Sequence, residues 1–306
     1  MEAPIRDDPG AVPDVTFPEP VGGYGHLDLG IPASRVESEQ LAEMKRRIET
    51  GDFDLPHMPS TSITILKLSS DPTVDVEDIA RVLETDPVLS AEILRTANSV
   101  MFGGARAADT LQQAVIRLGL RQVRALVLAL SMKSVIFRSR TLMPVAREVW
   151  RQSFSMGVIA RQLSGPLGFE PDRGFLIGQL HDIGKIPLLE ILREVVKGDP
   201  VAERGLIGRA FGELHELAGA SMAASWNLPN EICSVAGSHH RFRENLEHPK
   251  AAALANLVHQ IDLQLSVGDE SEFWDLRLGD EWKCLGVSFE ERRTLLTGCV
   301  GAFVRE

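Results

Sequence analysis

Residues 175–185 read FLIGQLHDIGK, an apolar helical run that ends on the adjacent pair His181-Asp182 and continues through Ile183, Gly184 and Lys185. An imidazole and a carboxylate on neighbouring residues offer a divalent metal a nitrogen and a hard oxygen from one rigid stretch of backbone, and the carboxylate has two oxygens with which to bridge two ions. One His-Asp pair means little by itself. Its company gives it weight: His215 in GELHELAGA, the pair His239-His240 in VAGSHHRF, and His259 with Asp262 in ANLVHQIDLQL each fall within or beside an expected helix. With His181 these are five of the chain's 8 histidines, all in its C-terminal half. The set suits metal coordination. It also suits a hydrogen-bonded polar core, since buried His and Asp side chains ordinarily find partners. His26, His57 and His248 stand outside every motif.

The elements that must position these side chains are helices. A chain of 306 residues with 44% hydrophobic content can bury a sizeable core. It holds one Tyr and few alternating β-branched runs, and its long stretches of Leu, Ala, Arg and Glu favour helix over strand, so the expected class is all-α. The most apolar segment, ALVLAL at 125–130, falls far short of the ~20 apolar residues that span a bilayer. The start MEAPIRDDPG is acidic and proline-containing where a signal peptide needs a basic start and an apolar core, so a cytoplasmic location is expected. Cys233, Cys284 and Cys299 show no CxxC spacing and read as core or free thiols. A formal net charge of -11 repels polyanions, which argues against nucleic acid and for a signalling protein or a small ligand as partner.

Residues 1–35, rich in Pro, Gly and Asp, read as a flexible tail that cannot repay its ordering entropy by burial. Ser38 is the expected N-cap of a helix through Thr50. Helices follow near 60–69 and 75–84; Thr85-Asp86-Pro87 then stops one and caps the next, with Pro87 at the first helical position, where its missing N–H costs nothing. Thr110 opens a helix that stops at Gly119, and 121–137 is apolar on almost every side, as in a helix buried between neighbours. Arg117, Arg121 and Arg124 read as charged groups at helix ends rather than a binding patch. Further helices are expected from past Pro144 to Leu163, at 175–180, 186–196, around His215, at 231–240 and at 251–265. The small residues Ala218, Gly219, Ala220, Ala223 and Ala224 would let a neighbouring backbone approach the His215 helix closely. Residues 266–306 read as a helical packing extension, and Phe273, Trp274 and Trp282 offer apolar surface that could support a dimer.

Residues 55–104 (LPHMPSTSITILKLSSDPTVDVEDIARVLETDPVLSAEILRTANSVMFGG), followed by LQQAVIRLGLRQVRALVLAL, resemble the N-terminal half of the HDOD domain, the HD-related output domain of bacterial signalling proteins. With GQLHDIGK, HELAGASMAASWNLP and SHH, the resemblance covers about residues 50–265. It implies an HDOD domain over 36–265, with an N-terminal helical subdomain (about 50–140) and a C-terminal subdomain (about 141–265) similar to the HD metal-dependent phosphohydrolases. The ligand set it implies is an early His, the His-Asp pair, further His residues and a late Asp. The early position falls in VWRQSFSMG, where this chain carries Gln152, and an amide oxygen is a weaker donor than an imidazole. A first metal position (Gln152, His181, Asp182, Asp262) is thereby weakened, while a second (Asp182, His215, His239, His240) stays whole, so one divalent ion (Fe, Mn or Zn) is expected rather than two. His259, one turn before Asp262, is expected behind the ligands or on the surface.

HDIGK resembles the cyclic-di-GMP phosphodiesterases of the HD-GYP group, but after His239-His240 the chain reads RFRENLEHP, without Gly-Tyr-Pro. The resemblance thus implies a non-catalytic signal-transduction output module. The alternative is a metal-dependent phosphohydrolase acting on a nucleotide or other phosphate ester, in which Asp182 would hold the ion and Lys185 would steady the phosphate.

Overall fold

In the computed structural model the described residues are 35–53, 55–68, 73–99, 102, 106–136, 142–195, 204–267 and 279–300. Among them the regular structure is helical and no strand occurs. The expected leader before Arg35, and Phe273 with Trp274, lie outside the described residues. The chain divides into two compact units: among the described residues, Pro59–Ser131 forms one, and 35–58 together with 132–300 forms the other.

The first unit comprises α2 (Ser60–Leu68), α3 (Val76–Leu83), α4 (Pro87–Ala97) and most of α5 (Leu111–Ile136). Its helices are cut by the punctuation in the sequence. Asp75 caps α3 by accepting from the Glu77 N–H at 3.2 Å, and Asp86 caps α4 by accepting from Val88 and Leu89 at 3.0 and 3.1 Å, with Pro87 opening the helix. Thr110 accepts from the Gln113 N–H at 3.2 Å at the start of α5. Gly119 breaks the helical path with φ 76° and ψ 155°, a conformation open to glycine and strained for other residues. Ile65, Ile79, Leu83, Ile93, Ala114, Val115, Val123 and Val127 form one buried apolar cluster. Arg117 is consumed structurally: its guanidinium donates to the carbonyls of Ala97 and Arg106 and to the Asn98 side chain.

The second unit holds α1 (Arg35–Thr50), α6 (Met143–Ser164), α7 (Pro171–Leu180), α8 (Lys185–Val195), α9 (Arg204–Ser225), α10 (Asn230–Ser238), α11 (Pro249–Val267), α12 (Asp280–Leu285) and α13 (Phe289–Val300). α1 begins before Ser38, so that residue is not its cap; the helix is held by Leu41, Met44 and Ile48, which are buried, and by a Glu37–Arg209 ion pair at 3.1 Å. α6 packs along α7, α9 along α10 and α8, and α11 against α6 and α7. The small residues on α9 permit the approach expected of them. A Cβ on Gly219 would lie 2.6 Å from the Ala236 carbonyl oxygen of α10, and one on Gly184 would lie 1.9 Å from the His215 carbonyl oxygen, so the turn after His181-Asp182 rests directly on the α9 backbone. Trp282 is buried, against the expectation that it offers surface for a dimer, and the short helix α12 that carries it packs on α11. No helix among the described residues is long and apolar enough to cross a membrane. Cys233 and Cys284 are free thiols, as expected.

Candidate metal centre

α7 stops at Leu180, and His181 to Gly184 form the turn that joins it to α8. His181 Nδ1 lies 2.7 Å from the Gly178 carbonyl oxygen. A carbonyl only accepts, so Nδ1 carries the proton and Nε2 presents its lone pair, 3.6 Å from Asp182 Oδ2. His239 is fixed in the same way from another direction. Its Nδ1 donates to the Val235 carbonyl at 3.2 Å, leaving Nε2 facing Asp182 Oδ1 at 3.5 Å. His215, on α9, places Nε2 3.5 Å from the same Oδ1 and 3.3 Å from His239 Nε2. His259, on α11, places Nδ1 3.7 Å from Asp182 Oδ2.

Four imidazoles from four elements thus converge on one carboxylate, and all five side chains are buried. Burial pushes each of the four imidazoles below its ordinary pKa despite the attraction of Asp182, His215 to about 4 and the others also downward, which keeps them neutral at pH 7. Burial alone would raise Asp182, but Lys185 and the surrounding imidazoles outweigh it and hold the carboxyl well below its usual range. Neither Asp182 oxygen nor His181 Nε2 receives a hydrogen bond. The Lys185 ammonium, 2.6 Å from Oδ2, makes an ion-pair contact without hydrogen-bond alignment.

A buried group of electron-pair donors turned toward one another is costly unless a cation sits among them. His181, Asp182, His239 and His259 each place a ligand atom within 4.8 Å of the others, and His215, His239 and His240 form a second such group. Metal–nitrogen and metal–oxygen bonds of about 2.0–2.2 Å set tetrahedral ligand atoms about 3.3–3.6 Å apart. The observed 3.5–3.7 Å between imidazole nitrogens and Asp182 oxygens is close to that spacing, so the residues fit a divalent ion.

The surroundings hold the ligands in place. The Asn256 side chain donates to the His239 carbonyl at 3.1 Å; Glu216 accepts from the His240 N–H at 2.8 Å and from Arg241 at 3.2 Å. His239-His240 sit on a short 3-10 turn after α10, not within the helix as the sequence suggested, and that turn aims the two rings differently: His239 is buried and His240 exposed.

Asp262, expected as the late carboxylate ligand, is in neither of these two groups; it is buried, with Arg151 and Ser155 of α6 acting on its carboxyl, and burial raises its pKa to about 6. His259, expected behind the ligands or on the surface, is buried among them. Gln152 is buried on α6, and its amide nitrogen has no hydrogen-bond partner.

The family model described as HDOD domain matches residues 55–242. The chain belongs to the HDOD family. Among solved structures, an HDOD domain protein of unknown function from Geobacter sulfurreducens is similar at TM-score 0.63 and 23% identity, covering 88% of this chain and 96% of its own. A protein from Shewanella amazonensis SB2B, provisionally described as a metal-dependent phosphohydrolase, is similar at TM-score 0.58 and 19% identity over 81% of this chain and 97% of its own. One from Marinobacter aquaeolei VT8, provisionally described as a signal transduction protein, gives TM-score 0.58 and 19% identity over 87% of this chain and 65% of its own. At such identities the likeness establishes the HDOD fold alone. An uncharacterised protein of Treponema pallidum (strain Nichols) is 26% identical over 204 residues, 64% of this chain but 38% of that relative, so the match spans well under half of its length.

Proposed function

We propose that this HDOD protein is a signal-transduction output module that holds one divalent ion in its buried His/Asp centre and acts by binding a signalling protein or a small ligand, not by hydrolysis. The observation that carries this reading is the sealing of the donor set: Asp182, His181, His215 and His239 are at most 2% exposed and His259 is 7% exposed. A hydrolytic ion needs an open coordination position that water and a phosphate can both reach. A closed set of protein ligands is the mark of a structural or sensing ion. Once bound, the ion would supply positive charge to the Asp182 carboxylate and tie the α7–α8 turn, the His239 turn and α11 together. Metal loading would then be linked to how firmly these helices are held, and so to the surface they present to a partner. The description of the Marinobacter relative as a signal transduction protein is in keeping with this reading.

A second reading, a metal-dependent phosphohydrolase, is favoured by exposed His240 at the edge of the cluster and by the description of the Shewanella relative. In it Asp182 would hold the ion and Lys185 would steady a phosphate. Against it stands the Lys185 ammonium, buried and 2.6 Å from Asp182 Oδ2, which would have to leave its carboxylate to meet substrate. The deciding experiment measures metal content by mass spectrometry on protein purified without chelator or affinity metal, beside Asp182→Ala, together with release of p-nitrophenol from bis-p-nitrophenyl phosphate. Near-stoichiometric metal that disappears in Asp182→Ala, without turnover, supports the module. Turnover that is lost in Asp182→Ala establishes the hydrolase instead, and metal-free wild-type protein removes both readings.

A further inference from the structure

The two groups of candidate ligands share His239, and that sharing restricts what the centre can hold. His239 Nδ1 is committed to the Val235 carbonyl, so the ring has one lone pair to give, on Nε2. One lone pair serves one ion, and the groups cannot both be filled. They are unequal. His181, Asp182, His239 and His259 are all buried and include a carboxylate, whereas His215, His239 and His240 include none and end on an exposed ring. A dication taken from water is better compensated by the group that brings a negative charge.

Resting on the reading of the chain as a metal-binding module, we infer that the centre is mononuclear, that its ligands are His181, Asp182, His239 and His259, and that Asp262 stays outside the coordination sphere. His259 supplies the third imidazole of the set. It reaches the site from α11, with its ring centroid 5.8 Å from that of His181 and 6.1 Å from that of His239. Asp262, one turn on, is in neither group, and its carboxyl is bonded to the Ser155 side chain and lies in the field of the Arg151 guanidinium. Three imidazoles and one carboxylate carry a single negative charge and are all nitrogen and oxygen donors, a set suited to Zn, Fe or Mn rather than to Ca or Mg.

The test is competition for Zn2+ against a chromophoric chelator, with wild type, His259→Leu, Asp262→Asn and His240→Ala, each checked by a thermal melt in excess chelator. Wild type should take up one Zn2+. His259→Leu should lose affinity by more than the roughly 10–100-fold that outer partners of a ligand cost, while Asp262→Asn and His240→Ala should stay within that range. Retained affinity in a folded His259→Leu, or a loss beyond that range in Asp262→Asn, overturns the ligand set and leaves the module reading standing. Two Zn2+ per chain overturns the mononuclear centre. No Zn2+, Fe2+ or Mn2+ bound by wild type removes this inference and the module together. If His259→Leu does not fold, X-ray absorption at the zinc edge of the loaded wild-type protein decides: three imidazoles support the set, and two or fewer overturn it.

Discussion

The two units bury different things. The core of Pro59–Ser131 is Ile, Leu, Val and Ala, side chains that gain about 25 cal/mol for every Å² of apolar surface removed from water and demand nothing of their neighbours in return. The second unit buries Glu148, His181, Asp182, Lys185, His215, His239, His259 and Asp262, and among the described residues every buried ionisable side chain lies there. Such burial is tolerated only when each charge finds a partner, and it contributes less to stability than an apolar core of equal volume. A fold selected for stability alone would not assemble it. The first unit is read as a packing element, the second as the place where the protein interacts with something charged.

The comparison would be broken most forcefully at Asp182. Asp182→Ala removes the carboxylate on which the imidazoles converge and leaves the Lys185 ammonium buried without its partner. Breaking a buried ion pair from one side costs about 3–5 kcal/mol, and metal uptake should vanish with it. The double variant Asp182→Ala/Lys185→Met should recover most of that stability and none of the metal. Chelator-treated samples melted by circular dichroism, beside metal analysis, check both; recovery of metal by the double variant would mean that the carboxylate was never a ligand.

Ile93→Ala makes the complementary cut. Ile93 is fully buried in the apolar cluster, and truncation should cost about 2–5 kcal/mol with no change in metal stoichiometry. All four tryptophans (Trp150, Trp226, Trp274 and Trp282) lie beyond Met132, so their fluorescence reports on the second unit while far-ultraviolet circular dichroism reports on both. The variant should lower the dichroism transition and leave the tryptophan transition in place. Equal shifts in both would show that the two units unfold as one.

A third difference is in pH. In metal-free protein the four buried imidazoles have folded-state pKa values below the ordinary 6.5, His215 at about 4. As pH falls below 6.5 the unfolded chain takes up protons that the folded one refuses, so each such group removes about 1.4 kcal/mol per pH unit until its own folded value is reached. Asp262 works in the opposite sense: raised to about 6, it favours the folded state below 3.8, and that contribution is lost as pH rises from 3.8 to 6, so it offsets part of the loss on acidification. With several imidazoles against one carboxyl, the tryptophan transition of chelator-treated protein should fall between pH 7 and pH 5. A flat profile would mean that the imidazoles are not held neutral.

Much of this was legible before the structure, and the boundary of legibility has a physical cause. Local signals held where local chemistry governs the outcome: Asp86-Pro87 caps and opens α4, Gly119 breaks α5, and the small residues of α9 admit the Gly184 turn. The His-Asp pair, His215 and His239 were legible as ligand candidates because His181 and His239 each take their tautomer from a carbonyl three or four residues back in their own chain segment. That His259 joins the buried group was not legible, because the face of α11 turned toward the centre depends on how that helix is rotated against α6 and α7, a property of the packed unit. Likewise Trp282 reads as exposed surface until α12 is seen packed on α11.

The smallest of these effects sharpens the comparison from the side of the first unit. Asp86 accepts from two backbone N–H groups that have no partner inside the first turn of α4, and it is only half-buried, so Asp86→Ala removes hydrogen bonds without opening a closed cavity or stranding a buried charge. A lost N-cap costs about 0.5–2 kcal/mol. Because the cap belongs to a unit without buried ionisable groups, its cost should be the same at pH 7 and pH 5 and the same with or without metal. Dichroism melts under those four conditions test this. A cost that changes with metal would mean that the apolar unit senses the His/Asp centre, and the division of labour between the two would have to be redrawn.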